Sequence, residues 1–290
     1  MQKSPDRFPN RSRTVLTSVV IVVLIGAAWY FFRHPVDIDP AEDATPGGIF
    51  PAAMRLELPP VENKAFAAGE KLHYKVIYKG ITVGHSLIEI KDGPLVNERP
   101  TLKYVSTAKS TKFFDAFFKV RDENVSTVDK QSLFSVAFDQ NLREGRYRAE
   151  RHHTFDYQQR KFISLEKKKG KTKNKEGTLE APIHDVLSAL YSVRTRDLAP
   201  GRDFTLSIFR NNTGKPLPVI IGPEPKVLKT VLGKVSCLRV EPMIQGDSLF
   251  KSKDNKLVAW MTNDEKKLPV LMEAKISVGL IRVKLDKWEK

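Results

Sequence analysis

Residues 70–93 read EKLHYKVIYKGITVGHSLIEIKDG, and this stretch decides the fold. Aromatic and β-branched residues are frequent in its first half, and polar and apolar residues alternate in its second half. Successive side chains of a strand point to opposite faces, so Ser86, Ile88 and Ile90 are predicted to share one face. The Lys79-Gly80 pair between the halves is typical of a tight turn, and the stretch therefore predicts an antiparallel hairpin.

Segments of the same kind recur along the chain, separated by Gly, Pro, Asn and Asp. Many short strands without βαβ alternation predict an all-β fold, mainly antiparallel, that is either a rolled, barrel-like sheet or a sandwich. The stretch FFDAFFKV at 113–120 fits either a short helical turn or a bulged aromatic strand. Further strands are predicted at about 101–110, 120–128, 133–141, 146–156, 160–168, 203–210, 216–221, 226–231, 234–241, 256–262, 268–276 and 279–286.

The stretch PIHDVLSALYSVRTRDLAPG at 182–201 differs from the others because its pattern is helical. Pro182 suits a first helical turn, and Asp185 favours the positive end of a helix. Gly201 after Pro200 is a termination signal, so one helix is predicted at about 182–198. An apolar stripe with spacings of three and four supports this prediction: Ile183, Val186, Leu190 and Val193.

Four polar residues recur every third position of the predicted helix: Asp185, Ser188, Tyr191 and Arg194. As a ligand site, this row would face a cavity, and Arg194 would bind an anionic group. As a structural brace, Asp185 would bond backbone amides and Arg194 would pair with a carboxylate of a neighbouring strand. A rolled sheet commonly encloses an apolar cavity, and six aromatic residues are candidates either for lining it or for plain core: Tyr74, Tyr78, Phe113, Phe114, Phe117 and Trp260.

The N-terminal region contains a candidate membrane anchor. Thr14–Phe32 is 19 residues long and carries no charge, and as a helix it would span ~28 Å, close to the thickness of a bilayer core. Four basic residues precede it, at positions 3, 7, 11 and 13, whereas only Arg33 follows closely. The positive-inside rule therefore predicts a cytoplasmic N-terminus. The alternative is a cleaved signal peptide, with Gly26 and Ala28 before the cut.

These features predict how the chain is organised. Residues 34–63 contain six prolines and a Gly-Gly pair, which is typical of a linker. We predict a single-pass protein of the bacterial inner membrane whose main domain is periplasmic. Its parts are a basic cytoplasmic tail at 1–13, a transmembrane anchor at 14–32, a Pro-rich linker at 33–63 and a β-rich extracytoplasmic domain at 64–290.

The net charge of +15 is distributed unevenly. Residues 1–59 hold six basic and six acidic side chains, so the whole excess lies in the predicted domain. Such a domain is attracted to nucleic acid, lipid head groups or acidic polysaccharide, and its predicted location argues against nucleic acid. Six lysines between 166 and 177 form either an exposed hairpin tip or loop, or a contact with an anionic surface: Lys167, Lys168, Lys169, Lys171, Lys173 and Lys175.

Signals for catalysis and cofactors are weak throughout the sequence. The GKT at 170–172 lacks the first glycine of a phosphate-binding loop, and the STAK and SLFK tetrads lack the other elements of penicillin-binding enzymes. His152 and His153 are adjacent, so a strand would point them to opposite faces, and Cys237 is the single cysteine. We predict no metal, no cofactor and no catalytic residue, and enzymatic activity stays an open question.

Four short motifs resemble one known family. They are GEKLxY at 69–74, Gly84 after KGITV, DxLSALYxxR at 185–194, and WxTxD followed by LPV at 260–270. The chain from about residue 65 to 287 resembles the bacterial family called domain of unknown function 3108. The resemblance implies an envelope location and a β-rich fold, and it implies no reaction.

Two functions are consistent with these observations. The first is a membrane-anchored binding module for an amphipathic or anionic envelope component, such as a lipid or a lipid-linked glycan. The second is a non-enzymatic structural or assembly partner of a cell-envelope protein complex.

Overall fold

A computed structural model describes residues 56–243, 257–276 and 279–290. The predicted anchor and most of the predicted linker lie outside the described residues. Neither of the helices in the described ranges is long and apolar enough to cross a bilayer.

The described residues form two helices and fifteen strands. The helices are α1, Lys112–Phe118, and α2, Val186–Arg194. The strands are β1 Lys71–Tyr78, β2 Ile81–Asp92, β3 Thr101–Ser110, β4 Arg121–Asp129, β5 Ser135–Glu144, β6 Tyr147–Asp156, β7 Lys161–Lys168, β8 Lys171–Thr178, β9 Phe204–Arg210, β10 Thr213–Ile221, β11 Lys226–Thr230, β12 Gly233–Pro242, β13 Leu257–Thr262, β14 Pro269–Ile276 and β15 Gly279–Glu289.

All fifteen strands belong to one antiparallel sheet, which confirms the all-β prediction. The order is β8-β7-β6-β5-β4-β3-β2-β1-β15-β14-β13-β12-β10-β9, and β11 pairs with β12. The sheet is rolled, because the Phe209 ring of β9 lies 5.1 Å from the Phe162 ring of β7, although these strands are near opposite ends of the order. The inner face of the roll carries the core, including Leu72, Tyr74 and Val283.

The predicted hairpin at residues 70–93 is confirmed as β1 and β2. Tyr78 pairs with Ile81, so the turn consists of Lys79 and Gly80 alone. Both turn residues have positive φ, 48° for Lys79 and 81° for Gly80. This is the pattern of a type I′ turn, whose twist matches that of the two strands it joins.

The antiparallel order gives the roll two distinct ends. Helix α1 joins β3 to β4, so it lies at the same end as the β1–β2, β5–β6 and β7–β8 turns. Helix α2 contacts Glu70, just before β1, and Ser135, the first residue of β5, so it lies at the opposite end. We refer to these as the α1 end and the α2 end.

Helix α2 begins later than the sequence predicted, at Val186 instead of Pro182. The reason is that residues 183 and 184 are used in sheet pairing. The Ser135 amide donates to the Ile183 carbonyl at 3.1 Å, while His184 exchanges two hydrogen bonds with β9, each 2.8 Å long. The short segment therefore bridges β5 to β9 and closes the roll at the α2 end.

The stretch at 113–120, which the sequence left undecided, forms a helix. Thr111 caps its first turn by accepting a hydrogen bond from the Phe114 amide. A second core cluster, which includes Ala189, Val193 and Leu206, packs α2 against β9, β10 and β12. Because every described strand pairs within residues 71–289 and both clusters lie within 56–290, this part of the chain has its own core.

Candidate anion-binding site

Asp185, the first residue of the predicted polar row, is fully buried at the start of α2. Its carboxylate accepts four hydrogen bonds, from the amides of Leu187 and Ser188 at 2.8 and 3.1 Å and from the hydroxyls of Ser126 and Ser135 at 2.5 and 2.7 Å. Burial raises the pKa of Asp185, and these hydrogen bonds oppose that rise. The residue therefore caps the helix and ties it to β4 and β5.

Arg194, the last residue of the row, is also fully buried. Its guanidinium donates to both carboxylate oxygens of Glu70, at 2.5 and 2.9 Å, and to the carbonyls of Lys266 and Ala65. Burial on its own would lower the pKa of Arg194, but the hydrogen bonds and charge of Glu70 hold it above the usual value. The pair connects α2 to the start of β1.

The middle residues of the row also pack inside the protein. The Tyr191 ring stacks on the Tyr104 ring with centroids 4.3 Å apart and meets the Phe66 ring edge-on at 4.8 Å. Ser188 shares a 2.8 Å hydrogen bond with the Ser135 hydroxyl. These contacts are of the kind described by the bracing interpretation, and we therefore place our proposal for ligand binding elsewhere.

The six aromatic candidates do not form a single cluster, although the three phenylalanines of α1 contact one another. Tyr74 is in the core, where its hydroxyl donates to the Pro269 carbonyl at 3.0 Å. Trp260 is half-buried and its indole N–H donates to Glu273 at 3.4 Å. Tyr78 and Phe114 are half-buried at the edge of the core, whereas Phe113 and Phe117 of α1 are exposed on the outside of the roll.

A concentration of positive charge lies on the outer face of the sheet near the α1 end. An open groove of about 450 Å³ runs there between the end of α1, the β5–β6 turn and the β7–β8 turn. Seven of its lining side chains are cationic, and Glu150 is the one acidic residue that lines it. We call it the basic groove; its cations are Lys119, Arg121, Arg143, Arg148, Lys167, Lys168 and Lys169.

Strand register places cations directly opposite one another in this region. Arg143 of β5 faces Arg148 of β6, and Arg121 of β4 faces Lys109 of β3. The flanking residues Leu142 and Ala149 are buried, so alternation along the strands turns the arginines outward. Like charges that face each other across strands destabilise a sheet, which makes this arrangement unfavourable unless an anion is nearby.

Helix α1 is fastened to the rim of the groove. Arg121 donates to the Asp115 carboxylate of α1 at 2.6 and 3.0 Å. The Gly145 amide donates to the Lys119 carbonyl at 2.8 Å, and a Cβ at position 145 would lie only 2.6 Å from the Phe118 ring. The β5–β6 turn therefore fits against α1 because residue 145 has no side chain.

Few cations of the groove form an ion pair with another described residue. Arg121 pairs with Asp115, and Lys167 approaches Glu150 at 3.9 Å. Arg143 donates to Asn141, and Arg148 donates to two backbone carbonyls. Within the described ranges, ion pairs are absent for four of the lining residues: Lys119, Arg143, Arg148 and Lys169.

The lysine-rich segment is a hairpin whose two halves differ. Lys167 and Lys168 end β7, Lys169 and Gly170 form the turn, and these lysines line the basic groove. The other three lysines, at positions 171, 173 and 175, lie on β8, an exposed edge strand outside the groove. Lysines on an edge strand disfavour pairing with another chain.

The sequence did not predict the arginines of the groove. The signal is present in REGRYR at 143–148, where cations flank a hairpin turn at positions that face each other. A second depression of about 390 Å³ continues along the same outer face, but acidic Glu123 and Asp139 contribute to its lining. The positive character is therefore concentrated near the α1 end.

Asp122, His153 and His184 are further buried titratable groups whose pKa values are shifted. Burial raises the pKa of Asp122 to about 6. Hydrogen bonds with the Arg143 amide and with the Glu144 side chain oppose this rise. Burial also lowers the pKa of His153 and of His184 to about 3, with smaller contributions from the charges of Arg151 and Arg196 respectively. All three groups are buried, and none of them lines the basic groove.

The remaining histidine and cysteine candidates are separate from one another. His152 faces outward and pairs with Asp139, whereas its neighbour His153 faces inward and bonds to Ser164. Cys237 is buried, which raises the pKa of its thiol to about 11. Among residues 56–243, 257–276 and 279–290, no three His, Cys, Asp or Glu side chains are grouped as metal ligands.

Comparison with known proteins gives a family but no activity. No curated protein matches this chain. A beta-barrel-like protein of the domain of unknown function DUF1849 from Brucella abortus is 9% identical, with a TM-score of 0.49, over 81% of this chain and 98% of that chain. A Bacteroides fragilis protein with a YmcC-like fold is 8% identical, with a TM-score of 0.33, over 82% of this chain and 100% of that chain.

Three of the four sequence motifs lie within the range that a family model matches, and the motif at 69–74 overlaps its start. The family model covers residues 73–286, which include β2 to β14, both helices and most of β1 and β15. This chain therefore belongs to the family described as protein of unknown function DUF3108.

Proposed function

We propose that this protein is a membrane-anchored binding module of the bacterial periplasm and that its basic groove binds the anionic group of an envelope component. The ligand class is a lipid or a lipid-linked glycan that carries phosphate or carboxylate groups. The groove does the recognition, and the N-terminal segment keeps the domain close to the membrane.

One observation carries the proposal: Arg143 and Arg148 face each other across β5 and β6 on the wall of the groove, and neither has an ion-pair partner in the described part of the chain. A guanidinium presents a planar set of donors that matches phosphate and carboxylate oxygens. An anion bound between the two side chains would remove their mutual repulsion. The neighbouring lysines would add charge without adding directional requirements.

The predicted location rests on the N-terminal sequence. The apolar stretch at 14–32 follows four basic residues, which favours a periplasmic domain by the positive-inside rule. A reporter enzyme fused after Lys290 is then expected to be active outside the cytoplasm. Activity of the same fusion inside the cytoplasm would overturn this part of the proposal.

The groove can be tested on residues 56–290 with inorganic polyphosphate as a soluble anionic probe. We expect the double substitution Arg143→Gln and Arg148→Gln to weaken binding about tenfold or more at physiological ionic strength, because two directional charge-assisted contacts are lost. Isothermal titration calorimetry measures the affinity.

A matched control removes the same number of charges elsewhere. Arg202 and Lys215 are exposed and lie outside the groove, so their replacement by Gln should change the affinity less than about twofold. Equal losses in both double variants would mean that net charge alone attracts the probe. Full affinity in the groove variant would show that the site is elsewhere.

A further inference from the structure

Helix α1 exposes two large aromatic side chains beside the basic groove. Phe113 and Phe117 are 69% and 66% solvent-exposed, and their ring centroids lie 5.6 Å apart. They are four residues apart, so they occupy one face of the helix. An exposed pair of this size is unusual because burying each ring would be favourable by about 2 kcal/mol.

The fold itself does not require these two rings on the surface. The opposite face of α1 makes the structural contacts: Phe118 packs against Gly145, and Asp115 pairs with Arg121. Phe114 is half-buried against the core. The outward face of the helix is therefore free to contact something outside the described part of the chain.

The surroundings of the two rings combine apolar and cationic groups. Lys112 and Lys119, at the two ends of the helix, are both exposed, and Lys119 also lines the basic groove. Ile81, which follows the β1–β2 turn at the same end, is 58% exposed. The Thr111 amide donates to the Val83 carbonyl at 3.0 Å, which places the start of α1 beside the start of β2.

Aromatic rings surrounded by lysines have the chemistry of a membrane interface. Rings of this kind enter the boundary between head groups and acyl chains, while lysines remain at the level of the anionic head groups. Each lysine near such a surface contributes about 1 kcal/mol of attraction. Charge complementarity therefore favours an anionic bilayer over a neutral one.

The predicted tether allows this contact. The chain enters the described domain at Leu56, whose amide bonds to Tyr157 at the α2 end. Residues 33–55 separate Leu56 from the predicted anchor and can span up to ~80 Å, whereas the longest strand, β2, is only ~40 Å long. The α1 end can therefore reach the membrane that would hold the anchor.

We infer that the α1 end docks on an anionic lipid bilayer, with Phe113 and Phe117 inserted into the interface and the basic groove over the head groups. This inference rests on the proposed function and specifies its ligand class, because it makes the anion part of a lipid bilayer surface instead of a lipid-linked glycan. Insertion of the rings adds an apolar contribution to the free energy of membrane binding, and salt does not screen this contribution.

The experiment compares two probes on residues 56–290. One probe is vesicles of phosphatidylcholine with about one third phosphatidylglycerol, measured by co-sedimentation, and the other is soluble polyphosphate. We expect Phe113→Ser with Phe117→Ser to weaken vesicle binding about tenfold or more and to leave polyphosphate affinity unchanged. Phe117→Trp should retain vesicle binding.

A control pair removes equally exposed apolar side chains at a distance from α1. Val227 and Val231 are 65% and 51% exposed near the β11–β12 turn, and their replacement by Ser should leave vesicle binding unchanged. Circular dichroism checks that each variant is folded.

Each outcome separates the two proposals. Unchanged vesicle binding of the Phe113 and Phe117 variant would overturn the docking inference. The proposed groove would still stand in that case if the Arg143 and Arg148 variant loses affinity for polyphosphate. If the phenylalanine variant loses affinity for both vesicles and polyphosphate, α1 supports the groove instead of entering lipid. Full binding of both probes by the arginine variant would overturn the proposed function itself.

Discussion

Arg194 and Glu70 are 124 residues apart in the sequence and form a buried, two-pronged ion pair, with N–O distances of 2.5 and 2.9 Å. The indole N–H of Trp288 also donates to Glu70 at 3.3 Å. Helix α2, the start of β1 and the last strand, β15, therefore meet at one carboxylate. The pair fixes the helix against the end of the roll where the first and last strands are neighbours.

Removing the arginine should destabilise the domain strongly. We expect Arg194→Met to lower the free energy of unfolding by about 3–5 kcal/mol, because Glu70 would remain buried without its counter-charge. Urea unfolding followed by tryptophan fluorescence measures the change.

The double variant Arg194→Met with Glu70→Gln is the control for this first prediction. It leaves no unpaired charge in the interior, so it should recover a large part of the loss. If the double variant is as unstable as the sum of the two single variants, the two residues do not stabilise each other and the prediction is wrong.

The two buried histidines should make the fold sensitive to acid. Burial lowers the pKa of His153 and His184 to about 3, so their contribution is present above the usual histidine pKa and is lost as the pH falls from about 6.5 towards 3. On acidification from neutral pH to pH ~5, each of the two histidines should lower the free energy of unfolding by about 2 kcal/mol. We expect His184→Asn to lose correspondingly less stability on acidification.

Unfolding curves at the two pH values provide the measurement for this second prediction. The variant His85→Asn, at an exposed position of β2, is the matched control. An identical acid-induced loss in the wild-type protein and in His184→Asn would refute the assignment of His184 as a buried neutral group.

Asp122 should make stability depend on pH in the direction opposite to that of the two histidines. Its pKa is raised to about 6, so protonation in the folded state restores stability as the pH falls from about 6 to 4, and the ionised form lowers stability above that window. Asn can still accept the 2.7 Å hydrogen bond from the Arg143 amide. We expect Asp122→Asn to be more stable than wild type by roughly 2–3 kcal/mol at pH ~8, with the difference vanishing near pH ~4.

Thermal or urea unfolding across this pH range tests the third prediction. The important observation is the change in the difference between the two proteins, since any loss of packing in the variant would be independent of pH. A difference that stays constant from pH ~4 to ~8 would contradict it.

The lysine-rich hairpin allows a comparison of two variants that each lose three positive charges. Replacing Lys167, Lys168 and Lys169 by Gln removes three cations from the groove, whereas replacing the three lysines of β8, at 171, 173 and 175, removes three from the exposed edge. We expect the first set to weaken co-sedimentation with anionic vesicles about tenfold and the second about twofold, because head groups are contacted in the groove. Equal effects would show that the hairpin acts only through its total charge.

The local pattern of the sequence determined most of the strands and turns. Alternation of polar and apolar residues predicted the faces of β2, and Lys79-Gly80 predicted the turn, because both properties depend on neighbouring residues alone. The same reasoning placed the polar row Asp185, Ser188, Tyr191 and Arg194 on one helix. It could not distinguish a brace from a ligand site, since the partners Glu70 and Ser135 are distant in the sequence.

Tertiary structure decided the start of α2 and the position of the basic groove. Residues 183 and 184 have a helical pattern, but their backbone groups gain hydrogen bonds to β5 and β9 that exist only once the sheet has rolled. The groove draws cations from three separate segments, around 119–121, 143–148 and 167–169. Strand register brings these charges together on one face, and register is a property of the whole sheet that no local stretch of sequence contains.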